Sequence, residues 1–346
     1  MAWLEEELLE QPEALRRFLE RRGEDARAFA SSVLGRGDVR YLLIASRGSS
    51  SNAARYAQYL LGEANRLPTA FAAPSLYTLY DGSPRLEGAL AVGISQSGRS
   101  PDVTSVIEEA RRQGRPTLAI TNNEDSPLAR AAEHVLPLEA GDERAVAATK
   151  TYLNSLAAVA LLSAALADDA DRLEQLQRIP DRVGHQLERS FEDVERVDRY
   201  RDVSGATVVA RGMCYGTAFE IALKIRELSG LLVEAYSPAD LLHGPIAGIA
   251  PGWPVLVVAP SGRTLESVRE IVSHVRARGA RVLAISDDAP LLRQVDTPLP
   301  LVHGVPEWLA PLVAVVSGQV TALRLATLRG LDLDRPAGLT KVTLTR

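Results

Sequence analysis

Lysine is almost missing from this chain. Its 346 residues hold three, Lys150, Lys224 and Lys341, although lysine and arginine together number 39. Arginine therefore fills nearly every position that asks only for positive charge. The three amines are left for work a guanidinium does badly: losing a proton, forming a Schiff base or aiming a compact charge at a phosphate. Cysteine is scarcer still, since Cys214 stands alone. That excludes a disulfide framework and a Cys-based zinc cluster, and it suits a reducing compartment, by default the cytoplasm. A basic surface is lacking too. The formal net charge of -5 argues against general binding to nucleic acid or an anionic membrane, so an anionic ligand needs a local pocket. The N-terminus, Met1-Ala2-Trp3-Leu4-Glu5-Glu6-Glu7, is acidic and has no apolar signal core, which argues against export. The longest apolar stretches, 156–167 and 308–316, fall short of the roughly 20 residues of a bilayer span and are expected as buried helices. No His/Cys/Asp cluster has metal-ligand spacing, and no metal or other cofactor is expected.

What is present is a globular composition, 46% hydrophobic and 24% charged, at a length that suits two domains. It also contains a duplication. Ile44-Ala45-Ser46-Arg47-Gly48 answers to Val208-Val209-Ala210-Arg211-Gly212, and Ser97-Gly98-Arg99-Ser100 answers to Ser261-Gly262-Arg263-Thr264. Gly114 with Leu118-Ala119-Ile120-Thr121 matches Gly279 with Leu283-Ala284-Ile285-Ser286. Three ordered matches at an offset of about 164 residues mean tandem domains rather than a solenoid. In each copy, aliphatic runs end in Gly/Ser turns and are followed by helix-period segments. The runs are 41–45, 89–94, 117–120 and 134–138, then 206–210, 255–259, 282–285 and 297–301. Continuous apolar strands alternating with helices predict an α/β protein with two doubly wound parallel sheets, each flanked by helices. The expected divisions are a helical segment at 1–35, a first domain at 36–167, a helical connection at 168–202 interrupted by Pro180, a second domain at 203–330 and a tail at 331–346.

Ligands of open α/β sheets bind beyond the carboxyl ends of the strands, where loops enter helices. The first copy fills two such loops with hydroxyls and glycines, Gly48-Ser49-Ser50-Ser51-Asn52 and Ser95-Gln96-Ser97-Gly98-Arg99-Ser100-Pro101-Asp102. Backbone N–H groups, hydroxyls and a helix dipole converging there make a phosphate cradle without a Walker lysine. Ordinary helix capping by Ser and Asn is the competing explanation. The second copy reads Arg211-Gly212-Met213-Cys214-Tyr215-Gly216 at the first of these positions, then a helix with Glu220, Lys224 and Glu227 on one stripe. That spacing alone favours a solvated, salt-bridged face. His243 follows, between turn residues, with a side chain suited to proton transfer near neutral pH. Lys341 lies five residues from the C-terminus, where a frayed end is the ordinary expectation.

Five strings, Ser95-Gln96-Ser97-Gly98, Val146-Ala147-Ala148-Thr149-Lys150, Glu220 through Glu227, Leu242-His243-Gly244-Pro245 and Leu339-Thr340-Lys341-Val342-Thr343, carry a resemblance over the whole chain. It resembles the double-SIS (sugar isomerase) family, which includes the isomerase module of glucosamine-6-phosphate synthase and stand-alone deaminases and deglycases. All three lysines fall inside the matching strings. The resemblance implies that Ser50, Ser95, Gln96, Ser97 and Ser100 bind a sugar phosphate, with Gly48, Val146, Ala148 and Lys224 also near the substrate. It further implies that Glu227 moves a proton between C1 and C2, that His243 opens the sugar ring, and that Lys341 meets the carbonyl end. A homodimer is implied, with His243 reaching the neighbouring subunit's site. The chain departs from the family pattern at Arg99, where a Glu is usual, and at Ala148, where a Ser is frequent. The sequence in hand has neither an N-terminal catalytic Cys nor a glutaminase domain, so the expected direction is amine release, from glucosamine 6-phosphate and water to fructose 6-phosphate and ammonia. The alternatives are a deglycase of fructosamine-type 6-phosphates such as fructoselysine 6-phosphate, a glutaminase-less synthase-like isomerase, and a non-catalytic sugar-phosphate sensor.

Overall fold

In the computed structural model, residues 1–80 and 82–342 are described; Asp81 and residues 343–346, including Thr343 of the tail string, lie outside the described residues. The first sheet is built from β1 (Tyr41–Ser46), β2 (Thr69–Phe71), β3 (Ala89–Ile94), β4 (Thr117–Thr121) and β5 (His134–Pro137), in the order β2-β1-β3-β4-β5. The second is built from β6 (Gly205–Ala210), β7 (Leu232–Tyr236), β8 (Pro254–Val258), β9 (Arg281–Ser286) and β10 (Thr297–Pro300), in the order β10-β9-β8-β6-β7. Every pairing is parallel, and the two orders are the same path through space. Register repeats as well: Ala45 pairs with Gly93 and, in the second sheet, Val209 pairs with Val257. Central strands β3 and β8 are buried at every residue, because helices cover both faces of a parallel sheet.

The eight predicted runs are strands, with ends shifted by a residue or so. Edge strands β2 and β7 were not predicted. β2 is three residues long with Ala70 and Phe71 exposed, and Glu234 breaks the apolar run of β7, so neither gives the continuous signal of a buried strand.

The chain forms two compact units. One holds the first sheet and comprises Glu10–Glu143, Lys150–Arg178 and, of the described tail, residues 340–342; the other holds the second sheet and comprises Met1–Leu9, Arg144–Thr149 and Ile179–Leu339. In the first-sheet unit the helix Gln11–Arg36 packs along the helix Lys150–Ala167. Asn154 Nδ2 donates to the carbonyls of Ala14 and Leu138, at 3.1 and 2.7 Å, and so joins both to the end of β5. In the second-sheet unit, Trp3 lies under the guanidinium groups of Arg144 and Arg335, and both Leu4 and Val146 donate backbone N–H bonds to Asp334.

The two apolar stretches lie in buried helices, as expected, although the helices Lys150–Ala167 and Glu307–Leu328 run longer than the stretches and are long and apolar enough for a bilayer crossing. Each is 94% buried within the protein. The runs look short in sequence because buried hydroxyls interrupt them, and these are satisfied locally. Ser155 donates to the Thr151 carbonyl, and Ser317 bonds Gln186 and Ser190.

Candidate active site

The chain leaves β1 toward β2 on one side and returns to β3 on the other, so the crevice beyond the carboxyl ends of β1 and β3 is the topological switch point. Both hydroxyl-rich loops leave the sheet there. After β1, Arg47 is extended and Gly48 takes a left-handed φ of 52° to open the helix Gly48–Ala64, in which Ser50 is half-buried. After β3, Ser95 is buried; its N–H donates to the Ile120 carbonyl on β4 and its Oγ accepts from the Gly98 N–H. Gly98 has φ 61°, and a Cβ there would collide with Ser126 Oγ, so the turn closes only on glycine. Half-buried Gln96 and Ser97 complete the turn, Gln96 accepting the Asn122 N–H at its carbonyl and Ser97 Oγ accepting the Arg99 N–H. Ser100 is the N-cap of the helix Pro101–Arg112, yet its hydroxyl caps no backbone N–H among the described residues. Helix capping therefore does not account for that serine.

Arg47 and Asp102 join the two loops. The fully buried Asp102 carboxylate accepts from Arg47 Nε and Nη2, both at 2.7 Å, and from the Val103 N–H at 2.9 Å. A buried charge is tolerated when it is paired and hydrogen-bonded in this way, and the pair fixes one helix start against the other. Sequence reasoning assigned neither residue to the site.

In the same unit, Glu143 has a side chain with 0% exposure just ahead of the helix Lys150–Ala167. It accepts from the Thr151 N–H at 3.1 Å, from Thr151 Oγ1 at 2.7 Å and from Lys341 Nζ at 2.8 Å. Lys341 is thus held, with its side chain 24% exposed, and the expectation of a frayed end is overturned at that residue. Lys150 is buried and bonded to Glu10. Asn122 connects these features to the loop after β3: its N–H donates to the Gln96 carbonyl, while its side chain bonds the backbone of Ala140 and Gly141.

In the second-sheet unit, the helix Tyr215–Ser229 buries Glu220 and Lys224 completely and leaves the Glu227 side chain 23% exposed. This corrects the expectation of a solvated stripe. Lys224 Nζ bonds Glu227 Oε2 directly and lies 3.6 Å from Glu220 Oε1, so two carboxylates share one ammonium. Taking Glu220 and Lys224 out of water costs several kcal/mol, and Glu227 is the one member of the cluster that keeps part of its carboxylate accessible. His243 closes the short helix Pro238–Leu242 and is exposed, its N–H shared by the Ala239 and Asp240 carbonyls. Val146 and Ala148 are half-buried in the segment Arg144–Thr149.

The SIS domain model matches twice, over residues 38–165 and 200–329, so this chain belongs to the SIS-domain family. Among curated relatives, a glutamine–fructose-6-phosphate aminotransferase (isomerizing) of Thermus thermophilus is 36% identical over 97% of the chain. The chain spans 57% of that relative's length. Among solved structures, a candidate phosphosugar isomerase from Silicibacter pomeroyi is 31% identical with a TM-score of 0.88, covering 96% of this chain and 100% of its own. The C-terminal domain of glucosamine-fructose-6-phosphate aminotransferase from Francisella tularensis is 26% identical with a TM-score of 0.87, covering 97% and 98%.

Proposed function

We propose that this chain is a phosphosugar isomerase working in the amine-releasing direction, converting glucosamine 6-phosphate and water to fructose 6-phosphate and ammonia. The observation that carries the reading is the buried Glu220–Lys224 pair backing the partly exposed Glu227. Interconverting a 2-amino aldose and a ketose moves one proton from C2 to C1, and a single positioned carboxylate performs both the removal and the delivery. Glu227 is that carboxylate in this reading. The C2 imine left by the shift takes up water, and the C–N bond breaks to leave the C2 carbonyl and ammonia. Ser50, Ser95, Gln96, Ser97 and Ser100 hold the phosphate, with Gly48 letting the chain turn into its helix and Arg47 held at the edge of the same loops by Asp102. Lys341 addresses the carbonyl end, and Val146, Ala148 and Lys224 flank the sugar. His243 opens the ring in the partner subunit's site, so the active form is a homodimer.

The names of the curated relatives favour a second reading, the isomerase half of an aminotransferase, in which the same proton shift runs toward glucosamine 6-phosphate. Incubation with glucosamine 6-phosphate should release ammonia and fructose 6-phosphate in equal amounts. Release from fructoselysine 6-phosphate alone would favour a deglycase. Formation of glucosamine 6-phosphate from fructose 6-phosphate and added ammonium, with no release, would favour the aminotransferase half, and tight binding with no turnover would favour a sensor. Mixing His243→Asn and Glu227→Gln subunits should restore about a quarter of wild-type activity, because half of the dimers then carry one intact site.

A further inference from the structure

We infer that Glu143 is a positioning residue that sets the place of the Lys341 amine. Glu143 Oε2 accepts from both Thr151 Oγ1 and Lys341 Nζ, while Oε1 accepts the Thr151 N–H. Capping the helix Lys150–Ala167 needs only the Thr151 contacts. The bond to a residue 198 positions away is extra to that job. Because the carboxylate is fully buried, losing its cation would leave a desolvated charge with fewer donors, so the pair strongly resists separation. The carboxylate is also fixed from behind. Residues 140 and 141 are pinned by Asn122, whose N–H holds the Gln96 carbonyl in the loop after β3, so the lysine's anchor and the serine loop share one hydrogen-bonded frame. A long, flexible lysine side chain is otherwise poorly placed for chemistry, and catalytic groups gain from being fixed before the substrate arrives.

The inference rests on the reading of Lys341 as a residue that meets the sugar, and the test separates the two. Amide exchange and limited proteolysis over residues 336–342 read the anchor without needing turnover, and steady-state kinetics with glucosamine 6-phosphate read its consequence. In the folded full-length protein, Glu143→Gln should speed exchange and cleavage at least tenfold. It should also lower kcat roughly tenfold or more while KM moves less than about threefold, since the phosphate loops are untouched. Glu143→Asp should fall between. Lys341→Met should release the tail to the same degree, and adding Glu143→Gln to it should release it no further. Unchanged tail protection in either single variant, or losses that multiply in the double, overturns the inference. If Glu143→Gln does not fold, Lys341→Met decides from the exposed side of the pair. If wild-type protein turns over no sugar phosphate, the functional reading fails while the protection data still judge Glu143.

Discussion

After β1 the chain continues Arg47-Gly48-Ser49-Ser50-Ser51, and after β6 it continues Arg211-Gly212-Met213-Cys214-Tyr215. Both glycines take left-handed φ, 52° and 65°, so the backbone turns the same way twice. The side chains then part company. Ser49 and Ser50 are half-buried hydroxyls, whereas Met213 and Cys214 are buried and fill the equivalent helix start. The loops after β3 and β8 differ in the same sense. Around Gly98 the neighbours are the hydroxyls of Ser126 and Thr121; around Gly262 the neighbour is the Glu307 carboxylate. The Ser261 N–H is already bonded to Asp287 Oδ1 at 2.6 Å, and Arg263 Nε lies 3.3 Å from Glu307 Oε2. Arg211 bonds Ser267 where Arg47 bonds the buried Asp102. Duplication has kept strand order and turns and has changed what occupies the loops. A glycine turn ahead of a helix can attract anions, and after β8 the protein's own Asp287 and Glu307 carboxylates bond Ser261 and Arg263 of that turn.

Under the proposed function, phosphate binding falls to the first copy and proton chemistry to the second, and Glu227 is where that division breaks most visibly. Glu227→Gln should lower turnover about a hundredfold to ten-thousandfold while phosphosugar binding persists. Near-normal turnover in a folded variant would take the chemistry away from the second copy. The filled helix start makes a separate claim. Burial pushes the Cys214 thiol up to about 12, against a bonding contact to Thr217 that works the other way. Only the thiolate reacts, so alkylation at pH 8 in the native protein should be about a thousandfold slower than after denaturation. Rapid native labelling would mean that the second copy's loop is open to water.

Next in size is a matched pair of loop substitutions. Ser97→Ala in the first copy should weaken phosphosugar binding roughly tenfold to a hundredfold, as expected for one hydrogen bond to a charged group. Gly98→Ala should do at least as much, because its Cβ meets Ser126 in a left-handed turn. Ser261→Ala at the matching position of the second copy should leave phosphosugar affinity within about twofold, as expected for a site that touches no ligand. Isothermal titration on the three variants measures the asymmetry, and equal losses in both copies would abolish it.

The strand alternation, the duplication and the hydroxyl loops were legible because each is a local pattern. The Glu220–Lys224–Glu227 stripe was legible as a stripe and illegible as a buried one. The i, i+4 and i+7 spacing is the same for a surface helix, and only the packing of Tyr215–Ser229 against Ala310–Leu328 and strands β6 and β7 removes it from water. Glu143 gave no signal, since its partner Lys341 is 198 residues away and nothing local marks a glutamate that the fold will bury. Asp102 stood in plain view inside the second loop string, and Arg47 in the repeat string that runs into the first. Their pairing required knowing that β1 and β3 are neighbours in the sheet.

The smallest expected effect falls on Glu307. The Arg263 side chain is 71% exposed and the Glu307 side chain 19%, so the pair between them is a surface ion pair worth no more than about 1 kcal/mol. Glu307→Gln keeps the shape that fills the space beside Gly262 and removes only the charge. Stability should therefore change little, with the melting midpoint moving by no more than about 2–4 °C for a chain of this size. Phosphosugar affinity should not move, because the proposed cradle lies in the first copy. The comparison sharpens if the variant also shows weak, salt-sensitive sulfate binding that wild-type protein lacks, since that would make the carboxylate the reason the second loop refuses anions. A tenfold loss of phosphosugar affinity would have the opposite meaning. It would place Glu307 in contact with the ligand, and the division of labour between the copies would have to be redrawn.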